Sequence, residues 1–267
     1  MAGRVRLLAT LVASGLLVVV LGCTPIGPGA VTPEPATVPA DATSAPSTSP
    51  ERPFPDTPRT TTEASTSEPE PEPSGSVDAP PPFRATVTTV LAGDLTASWR
   101  PGCPVGPEGL RTVEVTHWGY DGRVRTGRLV VAAELTASVA AVMGELYAAG
   151  FPIEEMSPVE AYGGDDEASM AANNTSAFNC RAVTGGSSWS EHAYGRAIDV
   201  NPLVNPYVAD TYVLPPGGAA YLDRDGLGTG MIRDGDATVT AFAVHGWEWG
   251  GSWVSPKNYQ HFSTTGR

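Results

Sequence analysis

The segment SEHAYGRAIDVNP, residues 190–202, carries a histidine and an aspartate seven positions apart, His192 and Asp199. Gly195 lies between them and disfavours one continuous helix, whereas the stretch AIDV indicates a short buried strand. Because side chains alternate along a strand, Asp199 points to the face opposite its apolar neighbours. A carboxylate buried among apolar residues is costly unless it is paired or bound to a metal. The segment therefore predicts a paired or metal-bound aspartate on one face of a small sheet.

A second histidine in an unusual setting lies near the C-terminus, in the stretch NYQHFS at 258–263. If this stretch is a strand, Phe262 packs inward and His261 points to the opposite face, where it is available as a third ligand. Zinc takes imidazole nitrogen and carboxylate oxygen, and catalytic zinc sites use three protein ligands and a water. A histidine beside an apolar strand is also often simply hydrogen-bonded, so spacing alone leaves both interpretations open. His117 and His245 are expected to be structural or solvated.

The remaining sequence predicts many strands and few helices. Apolar alternation indicates strands within 84–95, 111–122, 123–131, 152–156, 197–200 and 259–263. A helical period predicts a helix over 133–149, ended by Gly150, and a short helix over 238–245. Residues 163–190 are rich in Gly, Asp, Asn and Ser and are expected to form loops. We therefore expect an α+β domain in which a small antiparallel sheet carries the site and helices pack on one side.

Composition divides the chain into three parts. Residues 1–22 have a basic start followed by the apolar run 7–21, which is short for a membrane span and is typical of a signal peptide. Residues 23–82 consist mainly of Pro, Thr, Ser, Ala and Glu and are predicted to be a disordered tether, because they lack the apolar surface to offset ordering entropy. The composition changes near Phe83, so residues 83–267 are predicted to form one domain.

The export predicted from the N-terminal segment determines how the three cysteines are interpreted. Cys23 ends the run Val-Leu-Gly-Cys, which resembles the lipobox of bacterial lipoproteins and implies lipidation; ordinary cleavage that leaves Cys23 discarded or free is the alternative. In an oxidising compartment, Cys103 and Cys180 are expected to form a disulfide, the alternatives being two reduced thiols or a thiolate metal site. We expect a protein anchored to the outer face of the bacterial cytoplasmic membrane and facing the cell wall.

The charge balance argues against nucleic acid as a partner. The chain has 29 acidic and 16 basic residues, for a formal net charge of −13. Binding to nucleic-acid phosphates requires basic surface, which this composition does not supply. The partner expected from the N-terminal segments is instead a membrane, contacted through the lipid anchor.

Three motifs in order resemble one known family. SEHAYGRAIDVNP at 190–202, W-x-WGG-x-W at 247–253 and NYQHF at 258–262 are similar to the VanY-type D-alanyl-D-alanine carboxypeptidase family of zinc peptidases. That family includes phage endolysins that cut L-Ala–D-Glu bonds, and it shares its site architecture with lysostaphin and the Hedgehog signalling domain. The segment 151–181 also resembles the family's substrate-side segment. The likeness covers most of 83–267.

The resemblance implies roles for particular residues. It implies that His192, Asp199 and His261 bind zinc. It places Arg181 near the site, where a guanidinium would hold a substrate carboxylate or polarise the scissile carbonyl, or alternatively form a structural ion pair beside the neighbouring cysteine. Ser190 either hydrogen-bonds around the metal ligands or only shapes a loop. The implied substrates are peptidoglycan stem peptides, cut at D-Ala-D-Ala or a related bond.

One position departs from the family pattern. The family usually has an Asp or Glu three residues before its last histidine, which moves a proton from the water to the leaving amine, but this chain has Asn258. A neutral amide cannot accept that proton, and general-base help is typically worth about 10²–10⁴-fold in rate. Glu248 or Glu191 would then substitute, or zinc-bound hydroxide would act with weak assistance. The alternative function is a catalytically silent, zinc-containing domain that binds cell-wall peptide.

Overall fold

The computed structural model describes residues 79–226 and 228–267. The predicted signal peptide, the predicted lipidation site Cys23 and all but the last four residues of the predicted tether lie outside the described residues. Within the described part of the chain, no helix has the length and apolar character needed to cross a membrane.

The described residues form an α+β fold of short elements. The strands are β1 Ala85–Thr89, β2 Leu110–Trp118, β3 Val124–Ala132, β4 Glu155–Met156, β5 Asn174–Thr175, β6 Ala197–Asp199, β7 Tyr207–Val208, β8 Val213–Leu214, β9 Glu248–Trp249, β10 Lys257–Asn258 and β11 His261–Ser263. The α-helices are α1 Thr136–Ala148, α2 Asp166–Ala171 and α3 Ala237–Val244. Short 3₁₀ helices connect several of them. The predicted fold class is confirmed.

The first sheet is antiparallel in the order β1-β2-β3 and forms the back of the main core. The hairpin between β2 and β3 turns through Asp121 and Gly122, and Gly122 has a φ of 71°, which glycine adopts without strain. Helix α1 packs on β2 with its apolar face buried. Its end is set by Gly150, with the Phe151 N–H donating to the carbonyl of Leu146 at 2.9 Å. The predicted helix over 133–149 is thus confirmed to within one turn, since 133–135 are 3₁₀.

A second antiparallel sheet, in the order β6-β11-β9, carries Asp199 and His261. In its register His261 pairs with Asp199, and Phe262 pairs with Ile198. Phe262 is fully buried and stacks on Phe242 of α3, with ring centroids 3.8 Å apart. The alternation predicted for these two strands therefore holds, with apolar side chains turned to the core.

The expectation of loops throughout 163–190 is wrong at two places. Helix α2 lies in this stretch, and β5 forms a short parallel pair with β4. The helix begins because Asp165 accepts hydrogen bonds from the backbone N–H groups of Glu167 and Ala168, at 3.0 and 3.1 Å. The polar composition that suggested a loop includes this capping residue and the acidic first turn that follows it.

The disulfide between Cys103 and Cys180 is present, as predicted. It joins the loop after β1 to the residue that precedes Arg181. The same loop is also held by a backbone hydrogen bond from the Cys180 N–H to the carbonyl of Ser98, at 3.0 Å. This loop is therefore fastened to the central part of the chain by both a covalent bond and a main-chain contact.

Glu160 anchors the same loop from a 3₁₀ turn. Its carboxylate accepts hydrogen bonds from the backbone N–H groups of Ala97 and Ser98, both 2.8 Å away at the closest, and from the hydroxyls of Thr96 and Ser98, also at 2.8 Å. Burial alone would raise the pKa of Glu160, but these hydrogen bonds to Ser98, Ala97 and Thr96 outweigh it, and the pKa is lowered. Glu160 therefore contributes stability in its ionised form.

We expect Glu160→Gln to lower the free energy of unfolding by about 1 kcal/mol at pH 7, because glutamine keeps only one acceptor oxygen. A carboxyl whose pKa is lowered by folding stabilises fully above its unfolded pKa of about 4.3, and this stabilisation is lost as the pH falls through the folded pKa. The difference in the free energy of unfolding between wild type and variant should therefore disappear between pH 7 and about pH 3. Urea unfolding at a series of pH values measures it, with the exposed Glu134→Gln as the matched control. A difference in unfolding free energy that stays constant over this range would contradict the stabilising role of ionised Glu160.

Candidate metal centre

His192 is positioned by a single 3₁₀ turn, Glu191–Tyr194. Ser190 caps this turn, since its hydroxyl accepts a hydrogen bond from the His192 N–H at 3.3 Å. Gly195 ends the turn with a φ of 68°, and a Cβ there would lie 2.6 Å from the backbone nitrogen of Ala132. Ser190 thus shapes the local backbone that carries His192, and only glycine fits where this turn meets β3.

Three side chains from the two segments meet in one buried cluster. His192 Nε2 lies 3.1 Å from Asp199 Oδ2, His261 Nδ1 lies 3.0 Å from Asp199 Oδ1, and the two nitrogens are 3.2 Å apart. A tetrahedral zinc ion with bonds of about 2.0–2.1 Å holds its ligand atoms roughly 3.3–3.4 Å apart, so this spacing fits such an ion. All three residues are at most 5% exposed, so the cluster could hold a metal away from bulk water.

Backbone carbonyls determine which ring nitrogen of each histidine faces the cluster. His192 Nδ1 lies 2.5 Å from the carbonyl oxygen of Ala177, and His261 Nε2 lies 2.9 Å from that of Arg267. A carbonyl oxygen only accepts, so each of these nitrogens carries the proton and donates it. The opposite nitrogens then present lone pairs to the cluster in the neutral rings. Two lone pairs and a carboxylate that face one another require a cation or a proton between them.

Asp199 contributes a negative charge to this cluster. Burial, the largest influence, would raise the pKa of Asp199. When the two rings are protonated, the positive charge and hydrogen bond of His192, together with those of His261, outweigh burial and hold the pKa of Asp199 far below its usual range. The residue is therefore a carboxylate, which is the form that binds a divalent cation.

The two histidines of the cluster, His192 and His261, line a cavity of about 590 Å³. Arg181 lines the same cavity, as expected for a residue near the site, and its Nε lies 2.9 Å from Asp166 Oδ2. Asn179 donates a hydrogen bond to the other oxygen of Asp166 at 3.3 Å. The guanidinium is thus both on the cavity wall and in an ion pair, although its partner is a residue of α2 that the sequence did not single out. Nothing in the run of acids at 165–167 distinguishes Asp166 before the fold is known.

The candidate proton carriers are in different places. Asn258, in β10, lines the cavity and is 9% exposed. Glu191 also lines it, with one carboxylate oxygen 3.1 Å from Arg196 Nε. Glu248 is exposed in β9 opposite Ser263 and is absent from the cavity wall. Of the two acids expected to substitute for the missing carboxylate, Glu191 therefore lines the cavity and Glu248 does not.

The other two histidines lie outside the cluster. His117 is buried in β2, with its ring beside the carbonyl of Trp118 at 3.2 Å. Burial lowers the pKa of His117 despite that contact. His245, at the end of α3, pairs with Glu145 of α1 at 2.7 Å.

The comparisons with known proteins concern the same part of the chain. Residues 184–264 match a family model described as D-alanyl-D-alanine carboxypeptidase. The matched stretch contains the three residues of the buried cluster and Asn258, whereas Arg181 precedes it. No curated protein and no solved structure gives a match. The candidate metal centre therefore lies in a segment similar to a peptidase family.

We expect the domain to bind one zinc ion. Loss of a group that only hydrogen-bonds to a metal ligand typically weakens metal binding by about 10–100-fold, and Asp199→Asn, which changes a candidate ligand itself, should weaken it by more. The reason is that the amide lacks the negative charge that the two imidazoles face. Elemental analysis and competition with a chelator measure zinc content and affinity. His245→Ala, which removes a histidine outside the cluster, should leave both unchanged. A wild-type domain without zinc, or an Asp199→Asn variant with full affinity, would contradict the assignment.

Proposed function

We propose that this protein is a zinc peptidase that hydrolyses peptidoglycan stem peptides at D-Ala-D-Ala or a related bond. One observation carries the proposal: one ring nitrogen each of His192 and His261 and the two carboxylate oxygens of Asp199 converge at 3.0–3.2 Å, and both histidines line the cavity. The match of residues 184–264 to a peptidase family supports it. A bound zinc ion would supply an activated water and polarise the scissile carbonyl.

Arg181 is the cation that orients the substrate in this proposal. Asp166 contacts its Nε, and Nη1 donates to the carbonyl of Ala182 at 3.3 Å, so the planar group is held on two sides. Nη2 remains to donate to a substrate carboxylate or to the oxygen of the bond to be cut. A guanidinium held in advance loses little freedom when the substrate binds.

Glu191 is the best-placed group for proton transfer. It lines the cavity and directly precedes His192, whereas Glu248 lies on an exposed strand. Arg196 fixes one of its carboxylate oxygens at 3.1 Å. Asn258 occupies the position where the family has an acid, and its neutral amide can orient a water or a substrate but cannot take up the proton.

The second candidate function is a catalytically silent domain that binds zinc and cell-wall peptide. Asn258 favours it, because loss of a general base costs about 10²–10⁴-fold in rate. Such a domain would keep the metal cluster and the cavity and would hold stem peptides without cutting them. The two functions predict the same zinc content and differ only in turnover.

The proposal also includes a location. A signal peptide at 1–22, a lipid on Cys23 and a tether through residue 82 would place the domain of 83–267 outside the cytoplasmic membrane, facing the cell wall. The tether would let the anchored domain contact peptidoglycan at a distance from the membrane. The membrane contact is through the lipid, and the substrate contact is through the cavity.

Incubation of the soluble domain with muropeptides and zinc is expected to release alanine or shorter peptides. Glu191→Gln should lower the rate at least about tenfold if it transfers the proton, and Glu248→Gln should leave the rate near that of wild type. Asn258→Asp should raise it by about 10²-fold or more, because it restores a base near the water. Mass spectrometry of the products measures each rate. Cleavage by Asn258→Asp alone, with none by wild type, would favour the silent binding domain.

A further inference from the structure

Trp189 is a large aromatic side chain that stays partly open to solvent in the cavity wall. It lines the cavity, is 36% exposed, and lies three positions before His192. Its neighbour in the same wall, Val183, is 39% exposed. Trp247 and Trp249, in contrast, are buried in the main core. Apolar surface that a protein leaves open inside a cavity indicates a ligand that covers it.

Trp189 ends a hairpin, residues 182–189, that faces the second hairpin formed by β7 and β8. The first hairpin is closed by a backbone hydrogen bond from the Val183 N–H to the Ser188 carbonyl at 2.9 Å. The second carries Tyr212, whose hydroxyl would lie 4.0 Å from a Cβ placed on Gly185. Among the described residues, the two hairpins contribute to the cavity a set that we call the hairpin wall: Val183, Thr184, Ser188, Trp189, Tyr207 and Leu214. None of these six is charged, so the hairpin wall combines apolar surface with hydroxyl groups.

Arg100 supports the Trp189 ring from outside the cavity. The centre of its guanidinium lies 5.7 Å from the ring centroid, and Nη1 donates a hydrogen bond to the Cys180 carbonyl at 2.6 Å. Arg100 is not among the described residues that line the cavity. One side of the ring is therefore held by a cation that is itself fixed, and the ring loses little freedom when a ligand covers its open side.

The chemistry of the hairpin wall restricts what that ligand is. A neutral sugar ring has a weakly polar C–H face and hydroxyls around its edge, which match an indole face and the hydroxyls of Thr184 and Ser188. The long side chain of a diamino acid in a stem peptide ends in an ammonium group. That group would enter a wall without an acid, beside the positive charge of Arg100, and would be disfavoured there.

The length of a stem peptide is compatible with a sugar at this position. Since Trp189 lies three residues before His192, their Cα atoms are at most about 11 Å apart. An extended peptide rises about 3.3 Å per residue, so four residues between a sugar and the bond to be cut span about 13 Å. A stem peptide whose bond lies at the candidate metal centre can therefore reach Trp189 with its sugar.

We propose that the hairpin wall is a sugar-binding subsite, in which the N-acetylated sugar that carries the stem peptide lays its C–H face on Trp189. This inference rests on the proposed function, because it takes the ligand to be a stem peptide of peptidoglycan. It adds that the protein selects stem peptides still attached to their sugar over free peptides. Trp189 is then a specificity residue that takes no part in the chemistry at the metal centre.

The test compares two probes on the zinc-loaded domain. One is N-acetylmuramoyl tetrapeptide, and the other is the same tetrapeptide with a D-lactoyl group at its N-terminus, which lacks only the sugar ring. Both end at the D-alanine that cleavage of a D-Ala-D-Ala bond would leave, so each is a product of the proposed reaction. Isothermal titration calorimetry measures the two dissociation constants. Wild type should bind the sugar-bearing probe about tenfold more tightly, because one sugar face is buried against the ring.

Trp189→Ala should bind both probes with the affinity that wild type has for the probe without sugar, so that the tenfold preference disappears. Trp189→Phe keeps a smaller aromatic face and should keep part of the preference. Thr184→Val combined with Ser188→Ala keeps the ring, removes two hydroxyls and should reduce the preference about threefold. Val244→Ala, which changes an exposed apolar residue outside the cavity wall, is the matched control and should bind as wild type does. Zinc content and thermal unfolding establish that each variant is folded and loaded.

The outcomes separate the sugar subsite from the peptidase proposal. Equal affinity of wild type for the two probes would overturn the subsite and leave the stem-peptide function standing. An equal loss for both probes in Trp189→Ala would also overturn it, because the ring would then contact the peptide. If wild type binds neither probe, the stem-peptide function fails, and the subsite fails with it. Loss of the preference alone, in a folded variant with unchanged zinc content, supports the subsite.

Discussion

The antiparallel pairing of β11 with β6 is the constraint on which the site depends. Its register sets His261 opposite Asp199 and Phe262 opposite Ile198. On one face Phe262 stacks on Phe242, while the other face holds the imidazole and carboxylate. A slip of one residue would exchange the two faces and bury the polar groups in the core. The hydrophobic packing behind the sheet therefore fixes the geometry of the polar cluster in front of it.

The rest of the domain supports that pairing from behind and from the sides. Helix α1 and the first sheet supply the core, and the turn at Gly195 joins β6 to β3 through a hydrogen bond from the Ala132 N–H at 2.9 Å. Carbonyl groups of Ala177 and Arg267 then orient the two imidazoles. The two rings on the polar face are thus held by main-chain atoms, which move less than side chains and keep each ring in one tautomer.

Sequence patterns predicted those features that depend on side-chain type and spacing. Alternation in AIDV and YQHFS predicted the opposed faces, and the helical period predicted α1. The partner of Arg181 and the carbonyl groups behind the histidines were not predictable, because every residue carries a backbone carbonyl and acids at a helix start are common. Short elements such as α2 and β5 were also missed, since their stability comes from capping and tertiary contacts more than from a long apolar pattern.

The disulfide between Cys103 and Cys180 lies next to the cavity wall and forms only under oxidising conditions. Arg181 follows one of these cysteines directly, and Arg100, in the loop that the other cysteine closes, donates to the Cys180 carbonyl at 2.6 Å. A copy of the chain with reduced thiols would lack the covalent tie behind this wall. Because disulfides persist in an oxidising environment, under reducing conditions this loop would be held beside the cavity wall by hydrogen bonds without a covalent bond.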